Sequence, residues 1–156
     1  MKAHRTLGRC CNLVLIFGLA SGFFCVPQVS RAQAQTRVND RDMAAMMRNL
    51  HQDANSFRPP FDHAVHRSTI RHTSQERDAR SLSKTFDKET EKLLHHFKKD
   101  RNGEAEFCTV SDTAAQIDHV VDTVELGPKV RTQWQKIRTE LHQIAVAYGF
   151  PDRFHD

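Results

Sequence analysis

Glycine and proline are scarce in this 156-residue sequence, and their scarcity excludes several classes of protein. Six glycines and five prolines are too few for a collagen-like chain or for a disordered chain rich in these residues. A hydrophobic content of 38% is also too low for a polytopic membrane protein. After residue 34 only Gly103, Gly127 and Gly149 occur, each at a predicted helix end, so no glycine-rich loop is present to hold phosphate.

The first 34 residues have the pattern of a secretory signal peptide. Three basic residues precede position 10, and residues 10–30 carry no charge. Ala32 and Ala34 supply the small residues that signal peptidase accepts at positions −3 and −1. We therefore expect cleavage before Gln35 and an exported, periplasmic or extracellular, protein.

An uncleaved N-terminal membrane anchor is the alternative interpretation of this segment. Its strongly apolar part is about 16 residues long, whereas a helix needs roughly 20 residues to span a bilayer. We therefore expect no stable membrane insertion once the segment has been removed.

Removal of residues 1–34 changes both the charge and the cysteine content of the chain. The precursor has 23 Lys and Arg against 19 Asp and Glu, a formal net charge of +4. Residues 1–34 hold four of the basic residues and no acidic one, which leaves 19 of each sign in the mature chain. Three of the four cysteines lie in the same segment, so only Cys108 remains.

A single cysteine excludes an intramolecular disulfide, a Cys-x-x-Cys redox pair and a c-type haem attachment site. We expect Cys108 to be a small apolar side chain buried in a helix, since free cysteine is among the most buried residue types. The alternative is an exposed thiol that forms an intermolecular disulfide.

Residues 35–156 are predicted to form one all-α domain, an antiparallel bundle of four amphipathic helices. Apolar residues recur at steps of three and four, which places them on one stripe of each helix. Turn signals between the stripes favour the bundle over a long coiled coil, which is the second interpretation. The predicted helices cover approximately residues 40–69, 74–101, 104–124 and 128–148.

Pro59 and Pro60 interrupt the first apolar stripe. A proline inside a helix removes one hydrogen bond and clashes with the carbonyl group four residues earlier, so we expect a kink or break near residues 58–60. The apolar spacing continues through both prolines, which favours one kinked helix over two separate ones.

The second and fourth helices have clear start signals. Thr73 and Glu76 fit a capping box, in which the hydroxyl and the carboxylate each bind a free backbone N–H of the other residue. Pro128 suits the first position of a helix, where its missing N–H leaves no bond unmade.

Several motifs on these helices together resemble a group of small exported helical proteins common in acidobacterial genomes. The motifs are Phe86-Asp87-x-Glu89-Thr90-Glu91-Lys92-Leu93 with Phe97, Ile117-Asp118, Trp134 with Leu141-x-x-Ile144-Ala145-x-Ala147-Tyr148, and upstream Phe57-Arg58 with Phe61-Asp62-x-Ala64. The resemblance covers approximately residues 41–148. It implies a helical fold and export, and it transfers no functional residue because the group has no assigned activity.

Histidine offers the strongest candidate for metal chemistry. His63 and His66 are three residues apart on a predicted helix, where both imidazoles could bind zinc or copper. His72, Asp62 or Asp53 could complete such a site. However, His63 lies two positions from each of two apolar stripe residues, so it is expected to point to solvent. The sequence also has no His-Glu-x-x-His motif and no Glu-x-x-His pair of the di-iron type.

The remaining charged residues indicate neither catalysis nor nucleic-acid binding. Asp87 is expected to pair with Lys84 one helical turn earlier. No Gly-x-Ser-x-Gly nucleophile turn occurs. Local basic clusters such as Lys98-Lys99, in a neutral mature chain with one tryptophan, do not predict a nucleic-acid site.

The first functional hypothesis is therefore an exported, non-enzymatic helical bundle with a structural, interaction or envelope accessory role, without a cofactor and with an unknown protein partner. The alternatives are a periplasmic metal-binding protein that uses His63 and His66, and an unrecognised enzyme. Zero net charge also favours a weak homodimer, which Cys108 could link.

Overall fold

The four apolar stripes fold as four helices in the computed structural model, which describes residues 39–150. These residues all belong to one compact unit and contain no strand, so the predicted all-α bundle is confirmed. The predicted and observed helix ends differ by three residues or fewer. The helices are α1 Asp40–His66, α2 Ser74–Asp100, α3 Glu104–Thr123 and α4 Pro128–Tyr148.

Several sequence predictions concern residues outside this described range. They are the signal peptide, its cleavage site at Ala32, Ala34 and Gln35, and the alternative of a membrane anchor. Within residues 39–150, no helix combines the length and hydropathy needed to cross a membrane.

Helix α1 continues without a break through Pro59 and Pro60 to His66. The flanking residues Phe57 and Phe61 are both buried, and their ring centroids lie 5.0 Å apart. Packing of this stripe on both sides of the prolines offsets the roughly 3 kcal/mol that a proline costs inside a helix. The carbonyl groups that lose their helical donors belong to Asn55 and Ser56, and both residues are exposed, so water can reach this side of the helix.

The helices pack in antiparallel order around a single core. α2 lies between α1 and α3, and α4 packs mainly against α1. α3 and α4 approach each other less closely, and the rings of Phe107 on α3 and Tyr148 on α4 pack in the space between them. At one end of this space the Phe107 ring stacks on the Phe150 ring with centroids 6.0 Å apart.

Trp134 lies at the centre of the core and is only 2% exposed, as its place on the α4 stripe predicts. Its ring centroid lies 5.2 Å from that of Phe57 on α1 and 5.8 Å from that of Phe86 on α2. Its indole N–H donates to Asp118 Oδ1 on α3 at 2.6 Å. A buried indole needs such an acceptor, so Asp118 is part of the core packing.

Gly103 begins α3 at a point where the backbone passes close to two other helices. A Cβ atom at this position would lie 2.9 Å from Leu93 Cδ1 and 2.9 Å from the Tyr148 hydroxyl oxygen. The Gly103 φ of −153° suits any residue, so close approach rather than backbone conformation requires glycine here.

The substitution Gly103→Ala is expected to lower the free energy of unfolding by about 1–3 kcal/mol, because the added methyl group overpacks a tight contact. Urea unfolding of the two proteins measures the difference. In the background of Tyr148→Phe, which removes the crowding oxygen, the same substitution should cost less. Equal stability of Gly103→Ala and the parent protein would contradict this account.

Candidate functional site

The histidines of the predicted metal site lie near the end of α1. His63 is exposed, as expected, and His66 lies one turn further along the helix. With Asp62 and Arg80 they line an open surface depression of about 290 Å³. The structure therefore brings His63, His66 and Asp62 to one place.

Glu76 holds the turn between α1 and α2, and it does so differently from the predicted capping box. The Thr73 hydroxyl accepts the Glu76 N–H at 3.3 Å, as expected. The Glu76 carboxylate, however, accepts the N–H of His72 at 2.6 Å instead of that of Thr73. His72 has a left-handed φ of 65°, and the Thr73 N–H donates instead to the Ile70 carbonyl.

The same carboxylate also binds His66. His66 Nδ1 lies 2.7 Å from Glu76 Oε1, and Glu76 is only 7% exposed. The hydrogen bond with His66 and then that from the His72 N–H keep the pKa of Glu76 below its usual value, although burial opposes them. One carboxylate thus joins the end of α1 to the start of α2.

Metal binding at His63 and His66 stays a prediction. The rings of His66 and His72 lie edge-on with centroids 6.0 Å apart. Asp62 accepts a hydrogen bond from the Ser83 hydroxyl at 2.7 Å, whereas Asp53 faces α4. In the part of the chain that the structure describes, no group of three or more His, Cys, Asp or Glu side chains is arranged to hold a metal ion.

Asp53 forms a carboxyl pair with Glu140, and sequence spacing did not reveal it because the partners lie on α1 and α4. Lys136 Nζ lies 2.6 Å from Asp53 Oδ2. Glu140 interacts with this carboxylate, and the interaction lowers the pKa of Asp53 and raises that of Glu140.

Of the two carboxyl groups, Glu140 is the one whose pKa is raised. Burial first, and then the hydrogen bond and negative charge of Asp53, raise the pKa of Glu140 to about 8. The pKa of Asp53 is lowered. Burial acts to raise it, but the interactions with Glu140 and with the positive charge of Lys136 together outweigh burial. The pair therefore gives the α1–α4 contact a dependence on pH.

Asp87 pairs across helices and not with Lys84 as the sequence predicted. It accepts hydrogen bonds from Asn55 at 3.3 Å and from Arg58 at 3.4 Å, both on α1. The Asp87 carboxylate lies on the flank of α2 that packs against α1, so contacts from α1 satisfy it. Lys84 is exposed, and no carboxylate group of the described residues forms an ion pair with it.

Lys84 belongs to a set of eight exposed basic side chains on the outer side of α2, here called the basic face. The basic face consists of Arg77, Arg80, Lys84, Lys88, Lys92, His95, Lys98 and Lys99. Five of them form a straight row, because steps of seven and four residues return to nearly the same side of a helix. At 3.6 residues per turn the row occupies about 60° of arc. The members of the row are Arg77, Lys84, Lys88, His95 and Lys99.

Acidic residues barely neutralise the basic face. Glu91 is the one acidic residue of α2 within its arc. Lys92, at the edge of the arc, lines a surface depression with Glu89 and Glu106. Of the eight basic side chains, only Arg80 has a carboxylate group of residues 39–150 within 4.0 Å, that of Glu76. The spacing of the row could have revealed it in the sequence, but a net charge of zero conceals how charges are distributed.

Cys108 is exposed on α3, so the expectation of a buried cysteine is wrong. The core side of α3 is taken by its apolar stripe, which includes Phe107 and Val110, and Cys108 lies outside that stripe. An intermolecular disulfide through Cys108 stays a prediction.

The carboxyl pair predicts how stability changes with pH. Between about pH 4.5 and 8 the folded chain keeps a proton on Glu140 that the unfolded chain releases, so this group lowers the free energy of unfolding as pH rises. The variant Glu140→Gln should remove this loss. The free energy of unfolding of this variant, relative to that of the parent, should rise by about 1–2 kcal/mol from about pH 5 to about pH 8.5. This figure allows for solvent screening of the charges.

Urea unfolding at the two pH values measures this gain. Glu125→Gln serves as the control, because the Glu125 side chain is 79% exposed, and its difference from the parent should not change with pH. A Glu140→Gln difference that is the same at both pH values would show that the pair does not hold the proton.

Comparisons of this chain with protein-family models, with curated proteins and with solved structures give no match. Its function is therefore inferred from its own residues.

Proposed function

We propose that this chain is an exported, non-catalytic helical bundle that serves the cell envelope as a binding or accessory protein. Its basic face is the part that contacts a partner of acidic chemistry. The observation that carries this proposal is the row of basic side chains along α2, which has almost no neutralising partner.

The cost of the basic face to the fold supports a role outside the fold. Lys84, Lys88 and Lys92 follow each other at intervals of four residues, where like charges destabilise a helix by a few tenths of a kcal/mol per pair, about 0.2–0.5. None of the three forms an ion pair that would offset this repulsion within residues 39–150. A field of one sign instead attracts an oppositely charged partner and speeds its encounter.

The apolar surface of the described residues supports recognition by charge. Among large hydrophobic residues in the range 39–150, Val146 alone is exposed, at 56%. Single exposed apolar residues are ordinary on a protein surface and do not form a docking patch. Charge is thus the surface property that distinguishes one side of this bundle from the others.

The use of the polar side chains supports binding over catalysis. Glu76 holds the α1–α2 turn, Asp118 satisfies the buried Trp134, and Asp87 joins α2 to α1. In each case a group that could do chemistry is engaged in connecting two helices. The proposal of export rests on the signal-peptide pattern of residues 1–34 and on the family resemblance.

Export predicts a defined mature product. When the full chain is expressed in a bacterial host, the protein recovered from the periplasm should begin at Gln35, as intact mass and N-terminal sequencing would show. Ala34→Arg should block this processing, because the peptidase accepts only small residues at position −1. Recovery of the parent protein at full length in the membrane fraction would instead support the anchor.

The basic face predicts salt-sensitive binding to the envelope. The chain, purified as the host exports it, should sediment with washed envelope fragments and be released as salt rises to about 0.5 M, where charges are strongly screened. The triple variant Lys84→Glu, Lys88→Glu and Lys99→Glu should bind at least about tenfold more weakly, since each basic residue contributes separately.

A matched control carries the same change in net charge on other surfaces. Arg48→Glu, Arg67→Glu and Lys129→Glu replace exposed residues outside α2 that form no ion pair within the described range. This control should sediment like the parent protein. Equal loss of binding in both triple variants would mean that net charge, and not the basic face, governs the association.

A further inference from the structure

We propose that the acidic partner of the basic face is the surface of an anionic phospholipid bilayer, with α2 lying parallel to the membrane plane. This inference rests on the proposed binding function and names the chemistry of its partner.

The shape of the basic face fits a plane. Its central row runs from Arg77 to Lys99, a length of about 33 Å at 1.5 Å per residue. α1 and α3 pack on the opposite side of α2, so the row is the outward ridge of the bundle. A straight ridge can bring all its charges within the Debye length of a flat surface, about 10 Å at 0.1 M salt.

The side chains of the basic face fit phospholipid headgroups. Five of the eight are lysines, whose ammonium groups act as mobile point charges and impose no fixed geometry on a phosphate. Ser81 and Thr85 are exposed beside the row and can donate hydrogen bonds to phosphate oxygens. Headgroups that diffuse in the membrane plane can gather beneath such a row.

The same face is less suited to nucleic acid. Single-stranded nucleic acid is bound in basic grooves with aromatic side chains that stack on bases, whereas this face is a ridge without an exposed Phe, Tyr or Trp. The central row has one arginine, Arg77, although arginine forks are the usual readers of fixed phosphates and bases.

The basic face has no exposed apolar residue that could insert among the acyl chains of a bilayer. Exposed residues between its charges are polar, so α2 should stay at the level of the headgroups. Electrostatic attraction alone then makes the association reversible and sensitive to salt.

Sedimentation with protein-free vesicles tests the inference. Vesicles of phosphatidylcholine containing about 30% phosphatidylglycerol provide the anionic surface, and pure phosphatidylcholine vesicles are the neutral control. The exported chain should bind only the anionic vesicles, and salt should release it. The variant Lys84→Glu, Lys88→Glu and Lys99→Glu should bind at least about tenfold more weakly, while the matched control on Arg48, Arg67 and Lys129 should bind like the parent.

Fluorescence quenching tests the orientation. Two proteins each carry one fluorescent label. In the first, Cys108→Ser and Thr85→Cys together place the label beside the basic row. In the second, the label is attached to the native Cys108 on α3. A quencher attached to the headgroups should reduce the signal of the Thr85 label more than that of the Cys108 label. Equal quenching of both labels would overturn the proposed orientation.

The outcomes separate this inference from the proposed function. The chain could bind envelope fragments through the basic face and yet fail to bind anionic vesicles. This result would overturn the lipid inference and leave the proposed function in place. It would assign the partner to an acidic polymer or protein. Binding to anionic vesicles that the triple variant retains would also overturn it. If the chain binds neither envelopes nor vesicles, both proposals are wrong.

Discussion

Burial of Trp134 is the interaction on which the rest of this bundle depends. Its ring packs against Phe57 of α1 and Phe86 of α2, and its N–H reaches Asp118 of α3, so all four helices meet at one side chain of α4. Aromatic burial supplies much of the energy of a small core, and the hydrogen bond removes the penalty of a buried donor. Because the helices are held at this point, each presents a constant side to solvent.

Charge in this protein is arranged in two ways. Between helices, carboxylates are paired, as Asp87 is with Arg58 and Asp53 is with Lys136. On the outer side of α2, cations stand together with little compensation. The first arrangement stabilises helix contacts that are partly shielded from water, whereas exposed ion pairs contribute little. The second opposes the fold through repulsion between like charges, which is why we assign it to recognition.

The local structure of this chain was largely predictable, and its long-range polar contacts were not. The apolar spacing of each helix predicted its bounds and its buried side, including Met47 and Trp134. The partners of Asp118 and Glu140 could not be found in this way, because each lies on another helix and sequence spacing relates only residues of one helix. Cys108 was assigned to the core from the general behaviour of cysteine, although its position lies outside the α3 stripe.

The amino-acid sequence thus decided the helices and the side of each that is buried, since both follow from residue order at a period of 3.6. Tertiary structure alone decided which charges of different helices neutralise one another, since that depends on distances between helices. The basic face shows the difference. Its residues follow a helical period opposite the apolar stripe of α2, so the sequence already places them on the outward side. Only the distances in the folded bundle show that almost no carboxylate group of α1 or α3 reaches them.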